Sequence, residues 1–536
     1  MVNTRPTLVS HSESHNGQQR STASTASVPH MPSGQDQGEC DFVKPVCTPC
    51  NQSRRPCTGT GRALVFKTTT IATNGQPTTS TSTFGAAAPL VTQSRAAAQL
   101  DTVAEHERHI GFFWTAYLPN GEPFPDEASR YTTCGWTRIV REMCESQVTT
   151  TETDSTTDLV RLAVVANGLC MLGSQHRDTR MVDDGHQVYG RALQKMRAAL
   201  QRFESTETKK LALLLTSRLL TMFTLLFGRD VTDRGPPSAA QGEAWVGLNA
   251  GEMALLLSSR PEAYQTGDAH QVFVDTRLHL FLPYLMSKSR TSLSRPDWMT
   301  VPWAVIPKTP LDRLIDHIGH IPALAEDLTA INSNETLSEK DKRIAKHGLR
   351  PRYSAFVGEM KDWFDDVVPG FGIEELLAIG KTKKRKRASE GSSSVLELAK
   401  AHTLVLFWAT CLLFRGGLLQ VLNEDGDIPP EFVNMRAIRY NMLKIMSSVF
   451  FSPNSKLTAS WYSINIALFP LRIVMGTVGR NDSDDGDNGH GDIDTCPLSP
   501  AEIELMAGIS KECKARGVAS FLNSMGQYLS EGDAKE

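Results

Sequence analysis

The feature that most constrains the fold is the spacing of apolar residues from about residue 100 onward. Apolar side chains recur there at intervals of three and four, as in Leu159–Leu169 and Val188–Leu200. This spacing puts them on one face of an α-helix, whereas a half-buried strand would alternate apolar and polar residues. Residues that favour helix ends flank such segments: Asp158, Ser205 and Ser499 near starts, and Gly173, Gly228, Pro261 and Gly517 near ends. We therefore predict an all-α body over residues 99–536.

The rest of the chain differs from this body in composition. At 536 residues and 40% hydrophobic content, the chain is long enough for a large core and more than one unit. Residues 1–39 and 68–98 are rich in Ser, Thr, Ala and Gln, which predicts a disordered N-terminal segment and a disordered linker. Within the body, a basic stretch at 381–394 and an aspartate-rich stretch at 480–496 are predicted to be exposed loops. We expect the acidic stretch to be a solvated linker.

The sequence gives no sign of export or of a membrane span. Residues 1–39 lack the apolar segment of a secretory signal, so the ten cysteines are expected to be reduced thiols. The longest apolar run, Leu211–Phe227, is interrupted by Arg218 and several hydroxyl residues, and it falls short of the roughly 20 apolar residues of a spanning helix. We expect a soluble protein with no membrane partner.

Four of the cysteines cluster in residues 40–57, namely Cys40, Cys47, Cys50 and Cys57. The close pair Cys47 and Cys50 can bring two thiolates to one metal ion, and the flanking cysteines can complete a tetrahedral zinc site. Spacing alone leaves a second reading open, in which these are four free surface thiols.

This cysteine segment resembles the second half of the fungal zinc binuclear cluster, the six-cysteine DNA-binding module of fungal transcription factors. The residues that carry the resemblance are Asp41, Lys44-Pro45, the four cysteines in the order and spacing of the third to sixth ligands, and the segment Ser53–Gly59. In that family six thiolates hold two zinc ions. The resemblance implies a partial module over residues 40–67 with zinc as its cofactor, and with Lys44, Arg54, Arg55 and Arg62 against the DNA backbone.

The first half of that cluster is absent. At the family's spacing the first two ligands would fall at His30 and Ser33, and the basic helix that reads DNA is replaced by residues 34–39, with two acids and no base. DNA binding is therefore expected to be weak or impaired. Three explanations stay open: a regulator that has lost its DNA reader, a reduced module with one zinc, or a gene model that lacks the first half of the cluster.

The body from about Glu105 to Leu324 is similar to the fungal-specific transcription factor domain that follows this cluster in one branch of the family. Matching pieces include Leu159–Ala166, Tyr189–Leu200, Ala244-Trp245 and Pro296–Trp298, in order over more than 200 residues. The resemblance implies an all-helical regulatory and interaction domain, with a homo- or hetero-dimer partner as one expectation and no catalytic residues to carry over.

Individual residues of the body are expected to be structural. Tyr189, Trp245 and Trp298 are interpreted as core aromatics, with a ligand pocket as the alternative. Arg260 and Arg277 are interpreted as structural charge pairs rather than effector ligands. His270, His279 and His317 are too far apart in sequence to indicate a metal site, and the sequence has no phosphate-binding loop, nucleophile elbow or His-Glu-x-x-His motif.

A compact basic run gives a second functional signal. Six positive charges lie within seven residues: Lys381, Lys383, Lys384, Arg385, Lys386 and Arg387. Such a run suits the acidic grooves of a nuclear import receptor, and it also suits nonspecific binding to polyanions or a solvated loop. The sequence as a whole predicts a nuclear transcriptional regulator of the zinc-cluster class that acts on RNA polymerase II promoters and is not an enzyme. The alternative is an interaction protein that has lost direct DNA binding.

Overall fold

A computed structural model of the chain describes residues 66–71, 77–82, 107–146, 155–201, 206–228, 240–372, 392–422, 428–451, 460–477, 497–515 and 518. The chain divides into two compact units, Met1–Ser94 and Arg95–Glu536. In the first unit, β1 (Phe66–Ile71) and β2 (Pro77–Ser82) pair antiparallel, with Phe66 opposite Ser82 and Ile71 opposite Pro77. Both strands are rich in threonine, whose branched Cβ favours extended backbone. The linker 68–98 is predicted to be disordered, but the structure forms paired strands at 68–71 and 77–82 within it. The rest of this linker and the predicted disordered segment 1–39 lie outside the described residues.

The second unit is all-α, as the apolar spacing predicts. Its helices, numbered in chain order, are α1 (107–117), α2 (Asp126–Ser129), α3 (Trp136–Ser146), α4 (Ser155–His176), α5 (Thr179–Gln201), α6 (Glu207–Phe227), α7 (Ala240–Leu257), α8 (Gly267–Met286), α9 (Pro296–Thr300), α10 (Pro310–Asn332), α11 (Glu339–Val367), α12 (Ser392–Leu422), α13 (Pro430–Val433), α14 (Met435–Ile445), α15 (Trp461–Gly476) and α16 (Pro500–Ala515). Short 3-10 turns occupy Pro119–Gly121, Pro261–Tyr264, Ser292–Ser294, Val301–Trp303 and Val368–Phe371, and a π turn occupies Met446–Phe450.

The helices pack into one extensive hydrophobic core. α4 packs against α5 and α6, α6 packs against α7, and α7 packs against α8. Farther along the chain α12 contacts α10, α11, α14 and α15, and α8 contacts α10. The main buried cluster includes residues from Ile110 to Val518, and a small second cluster joins Ala128 to Val395 and Ala399. α5 is buried on one face only, through Val188, Ala192 and Met196 as their spacing predicts, whereas α6 is buried nearly all round.

α4 and α5 approach each other closely. Only Arg177 and Asp178 separate the two helices, so the chain folds back within one turn. At Gly185 an added Cβ would lie 2.5 Å from Sγ of Cys170 and 3.1 Å from the carbonyl oxygen of Ala166. Glycine at this position therefore allows the two helix backbones to come together.

A buried ion pair fixes the last described helix. Arg439 of α14 is fully buried, and its Nε donates to Oε1 of Glu502 at 2.6 Å. The same guanidinium donates to the carbonyl oxygens of Thr477 and Pro497 at 3.2 and 3.1 Å. Glu502 in turn accepts from the backbone and hydroxyl of Ser499, each at 2.7 Å. The pair thus joins α14, the end of α15 and the start of α16.

Among the described residues, three helices of the body are long and apolar enough to cross a membrane by length and composition alone: Thr157–His176, Glu207–Phe227 and Val395–Leu422. The second contains the run Leu211–Phe227, so the expectation that this run is too short and too polar for a span is wrong by these two criteria. Inside the fold, 67%, 83% and 67% of the most apolar windows of the three helices are buried, respectively. Their apolar surface is therefore largely covered by packing against neighbouring helices.

Candidate functional site

A cavity lies inside the second unit, among helices that are distant in sequence. α6, α8 and α15 provide most of its lining, and α3, α7, α12 and the segment before α3 complete it. Its volume is about 130 Å³. Eleven of its nineteen lining residues are apolar or aromatic and eight are polar or charged. A mostly apolar wall with a few fixed polar groups is the usual composition of a small-molecule site.

Arg218 reaches this cavity from the middle of apolar α6. Its Nη1 donates to Nδ1 of His279 at 2.6 Å, and its Nη2 donates to the carbonyl oxygen of Thr133 at 3.2 Å. Because arginine can only donate, Nδ1 of His279 must accept, and the ring proton lies on Nε2. That nitrogen donates to Oε2 of the buried Glu252 at 2.9 Å. Burial lowers the pKa of His279, so the ring is neutral and orients Arg218.

Asp275 is the carboxyl group of the cavity, and only 1% of the residue is exposed. Its Oδ2 accepts from the backbone N–H of Trp136 at 2.7 Å and from Nε2 of Gln271 at 3.0 Å. Its Oδ1 has no hydrogen-bond partner in the part of the chain that the structure describes. Burial raises the pKa of Asp275 to about 7, although the nearby charge of Arg218 opposes the rise. The carboxyl therefore changes protonation state near neutral pH and can donate from Oδ1 when protonated.

Arg472 of α15 places a second guanidinium in the lining. Its Nε is buried and has no hydrogen-bond partner within the described ranges, and burial lowers the pKa of this side chain. Among the residues that the structure describes, neither Arg472 nor Arg218 forms an ion pair with a carboxylate. The cavity therefore carries two guanidinium groups without a direct carboxylate partner.

Four buried polar atoms of the lining have no hydrogen-bond partner among the described residues. They are Nε1 of Trp136, Oγ1 of Thr221, Oδ1 of Asp275 and Nε of Arg472. Buried polar atoms are normally hydrogen-bonded, so four such atoms around one cavity distinguish it from ordinary core. His402 also lines the cavity, and burial lowers its pKa to about 4, so it contributes no charge near neutral pH.

The predicted core aromatics are confirmed. Trp245 and Trp298 are buried, and Tyr189 stacks on Phe223 with ring centroids 4.2 Å apart. The hydroxyl of Tyr189 pairs with Oγ1 of Thr224 at 2.8 Å. Trp245 also lines the cavity, so the pocket alternative holds for this residue as well.

The predicted structural role of Arg277 is confirmed too. Its Nη2 donates to Oδ1 of Asp316 at 2.7 Å, and its guanidinium lies 4.3 Å from the ring centroid of Trp303. Arg260, by contrast, is exposed and lies just before the turn Pro261–Tyr264. It forms no ion pair with a described residue, so the structure does not show the charge pair predicted for it.

The three histidines have separate partners. His270 pairs with the carbonyl oxygen of Tyr264, His279 with Glu252, and His317 with Glu359. Over the described ranges, no three His, Cys, Asp or Glu side chains are grouped to hold a metal ion. The described cysteines are buried free thiols: Cys134, Cys144, Cys170, Cys411 and Cys513.

The remaining predicted site residues lie outside the described residues, so their roles stay predictions. These are the zinc ligands Cys40, Cys47, Cys50 and Cys57, the DNA-contacting Lys44, Arg54, Arg55 and Arg62, and the nuclear-localisation residues Lys381, Lys383, Lys384, Arg385, Lys386 and Arg387. The donor set fits one zinc ion, because four thiolates complete one tetrahedral shell. Two zinc ions would need further ligands.

Comparison with protein-family models, with curated proteins and with solved structures gave no match for this chain.

No motif in the sequence directly indicates the cavity. Arg218 and Arg472 each stand alone as the charged residue in an otherwise apolar stretch, Leu211–Phe227 and Trp461–Gly476 respectively. A lone buried charge is costly unless a partner compensates it. A single arginine within an apolar helical stretch is therefore the sequence signal that indicates this site.

Proposed function

We propose that this protein is a nuclear transcriptional regulator of the fungal zinc-cluster class, acting on RNA polymerase II promoters, with the all-α unit as its regulatory domain. The observation that carries the proposal is the order of parts in one chain. A cysteine module at 40–67 precedes a low-complexity linker and then an all-helical body. No catalytic role is proposed for the body.

In this proposal the cysteine module contacts DNA mainly through phosphates. Bound zinc would fix the loop between Cys40 and Cys57 by coordinating the four thiolates. Lys44, Arg54, Arg55, Arg62 and Lys67 then present five positive charges against the one negative charge of Asp41. Contacts of this kind depend steeply on salt and carry little sequence information.

The alternative function is an interaction-only regulator, and one observation favours it. Residues 34–39, which replace the DNA-reading helix of the family, carry two acidic residues and no basic residue. A regulator of this kind would reach promoters through a partner protein, either as a hetero-dimer or through an intact relative. Import into the nucleus would use the basic run Lys381–Arg387 in both cases.

Chromatin immunoprecipitation of the tagged full chain in a fungal host separates the two functions. We expect the wild type to be enriched at promoters and the double variant Cys47→Ser/Cys50→Ser to lose that enrichment. Thr48→Ala, in the same loop but without a ligand atom, is the matched control and is expected to behave as wild type. Retained enrichment of the double variant would favour the interaction-only function, and no enrichment of the wild type would contradict both.

A further inference from the structure

We propose that the cavity formed by α6, α8 and α15 binds a small organic carboxylate, with its carboxylate group between Arg218 and Arg472 and its hydrocarbon part against the apolar wall. This inference does not depend on the proposed function, because it concerns the helical unit alone. It is tested by binding, whatever happens at the cysteine module.

The charges of the cavity favour an anion. Arg218 and Arg472 line the cavity, and Asp275 is the only carboxyl among its described lining residues. Glu252 lies behind His279 and accepts a hydrogen bond from it. With Asp275 protonated, the described lining holds two guanidinium groups and no carboxylate, so a bound anion supplies the negative charge that the two arginines lack. Planar guanidinium groups bind carboxylates through paired N–H donors, which makes arginine well suited to this ligand.

The unused hydrogen-bonding atoms point to the same chemistry. Nε of Arg472, Nε1 of Trp136 and, when protonated, Oδ1 of Asp275 are donors, and Oγ1 of Thr221 can donate or accept. A carboxylate accepts up to about four hydrogen bonds. The lining therefore offers a carboxylate potential donors from α3, α6, α8 and α15.

The rest of the lining sets the size and shape of the ligand. The wall is apolar along Met222, Leu225, Leu278, Leu282 and Phe469. A volume of about 130 Å³ is close to that of an engineered apolar cavity of about 150 Å³ that binds benzene. The ligand is therefore a monocarboxylate with a compact hydrocarbon part of up to about six carbons.

The test is isothermal titration calorimetry of the purified full chain with straight-chain carboxylates from acetate to octanoate. We expect dissociation constants on the order of 1 mM for the best member. Affinity should rise about fourfold with each added methylene until the cavity is filled, at about five to six carbons, and then level off or fall. The matching primary amides, which have the same shape without the charge, should bind at least tenfold more weakly.

Arg472→Met is the decisive variant, because Arg472 forms no ion pair with any described residue, so its loss should leave the fold intact. We expect it to weaken carboxylate binding at least tenfold without changing amide binding, and Arg472→Lys to retain part of the affinity. Arg295→Met, at an exposed arginine paired with Asp297, is the matched control and should bind as wild type. No saturable binding, equal binding of acid and amide, or wild-type affinity in Arg472→Met would each overturn the proposal.

The pH dependence of carboxylate affinity tests whether Asp275 faces the ligand, because a purely structural role of Asp275 would not change this affinity with pH. The groups that face the bound anion are Arg218, Arg472, Asp275, the neutral His279 and the neutral His402. Of these, only Asp275 titrates near pH 7, and its neutral form favours the anion. Affinity should therefore fall about tenfold between pH 6 and pH 8, and Asp275→Asn should abolish this dependence. Equal affinities of the wild type at both pH values would contradict the place of Asp275 in the site.

Discussion

Replacing Asp275 with asparagine tests how the interior of the body handles a buried carboxyl. Burial raises the pKa of Asp275 to about 7 from its ordinary value of 3.8. An asparagine oxygen can accept the two hydrogen bonds that Oδ2 now accepts from Trp136 and Gln271. The substitution therefore removes a titration while it preserves the shape and the existing hydrogen bonds.

The direction of the effect follows from proton binding. A raised pKa means that the folded protein holds the proton of Asp275 more tightly than the unfolded chain does. The contribution of this group to stability is therefore greatest below pH 3.8 and is lost as the pH rises through 7. Between pH 5 and pH 8 the linkage relation gives a loss of about 2.6 kcal/mol for the wild type, which the asparagine variant does not share. Arg218, Cys134 and Asp312, which face Asp275, are present in both proteins.

The assay is urea unfolding of both proteins at pH 5, 6, 7 and 8, followed by circular dichroism. We expect the free energy of unfolding of Asp275→Asn, relative to wild type, to increase by about 2.6 kcal/mol from pH 5 to pH 8. Asp362→Asn, at an exposed position of α11, controls for the loss of a carboxylate as such. A difference between Asp275→Asn and wild type that stays constant across this pH range would refute the reasoning.

Three further predictions concern packing, a buried ion pair and localisation. Glu502→Ala leaves Arg439 buried without its carboxylate partner. It should lower the free energy of unfolding, measured by urea denaturation, by about 3–5 kcal/mol. The double variant Arg439→Met/Glu502→Ala should recover most of that loss. Gly185→Ala forces a methyl group against α4 and should destabilise the protein by about 1–3 kcal/mol in the same assay. Gly190 lies in the same helix with open space around it, so Gly190→Ala should stabilise the protein by up to about 1 kcal/mol. Replacing the basic residues of Lys381–Arg387 with glutamine should move a fluorescently tagged chain from the nucleus to the cytoplasm, and unchanged nuclear fluorescence would contradict the import role.

The helical body was predictable because its signals are local. The apolar spacing of Val188, Ala192 and Met196 follows directly from 3.6 residues per turn, and these residues form the buried face of α5. Helix ends with strong capping chemistry were predicted equally well. Ser499 precedes α16 and its backbone and hydroxyl donate to Glu502, and Gly228 caps α6. The prediction that Gly173 marks a helix end is off by three residues, since α4 continues to His176. This glycine instead allows Val182 of α5 to approach α4 closely.

The cavity was not predictable, because it depends on contacts between distant parts of the chain. Asp275 meets the backbone of Trp136 across 139 residues, and Arg218 meets His279 across 61. Helical periodicity predicts which face of each helix is buried, but it does not tell which buried faces meet. In the sequence, Arg218 only interrupts an apolar run. The fold brings it beside His279 and into the same cavity as Arg472.

The central claim is that the cysteine module is a zinc cluster with four of the family's six cysteines and that it contacts DNA. One titration tests this claim most directly. Zinc stoichiometry and affinity for a DNA duplex would be measured on the purified full chain across a salt series, with Cys47→Ser/Cys50→Ser as the comparison. We predict one zinc per chain and sequence-indifferent binding, with a slope of about −3.6 for log affinity against log salt, from a net positive charge of about four. The double variant should lose both zinc and DNA. A wild-type chain that holds no zinc and binds no duplex at low salt would contradict the claim.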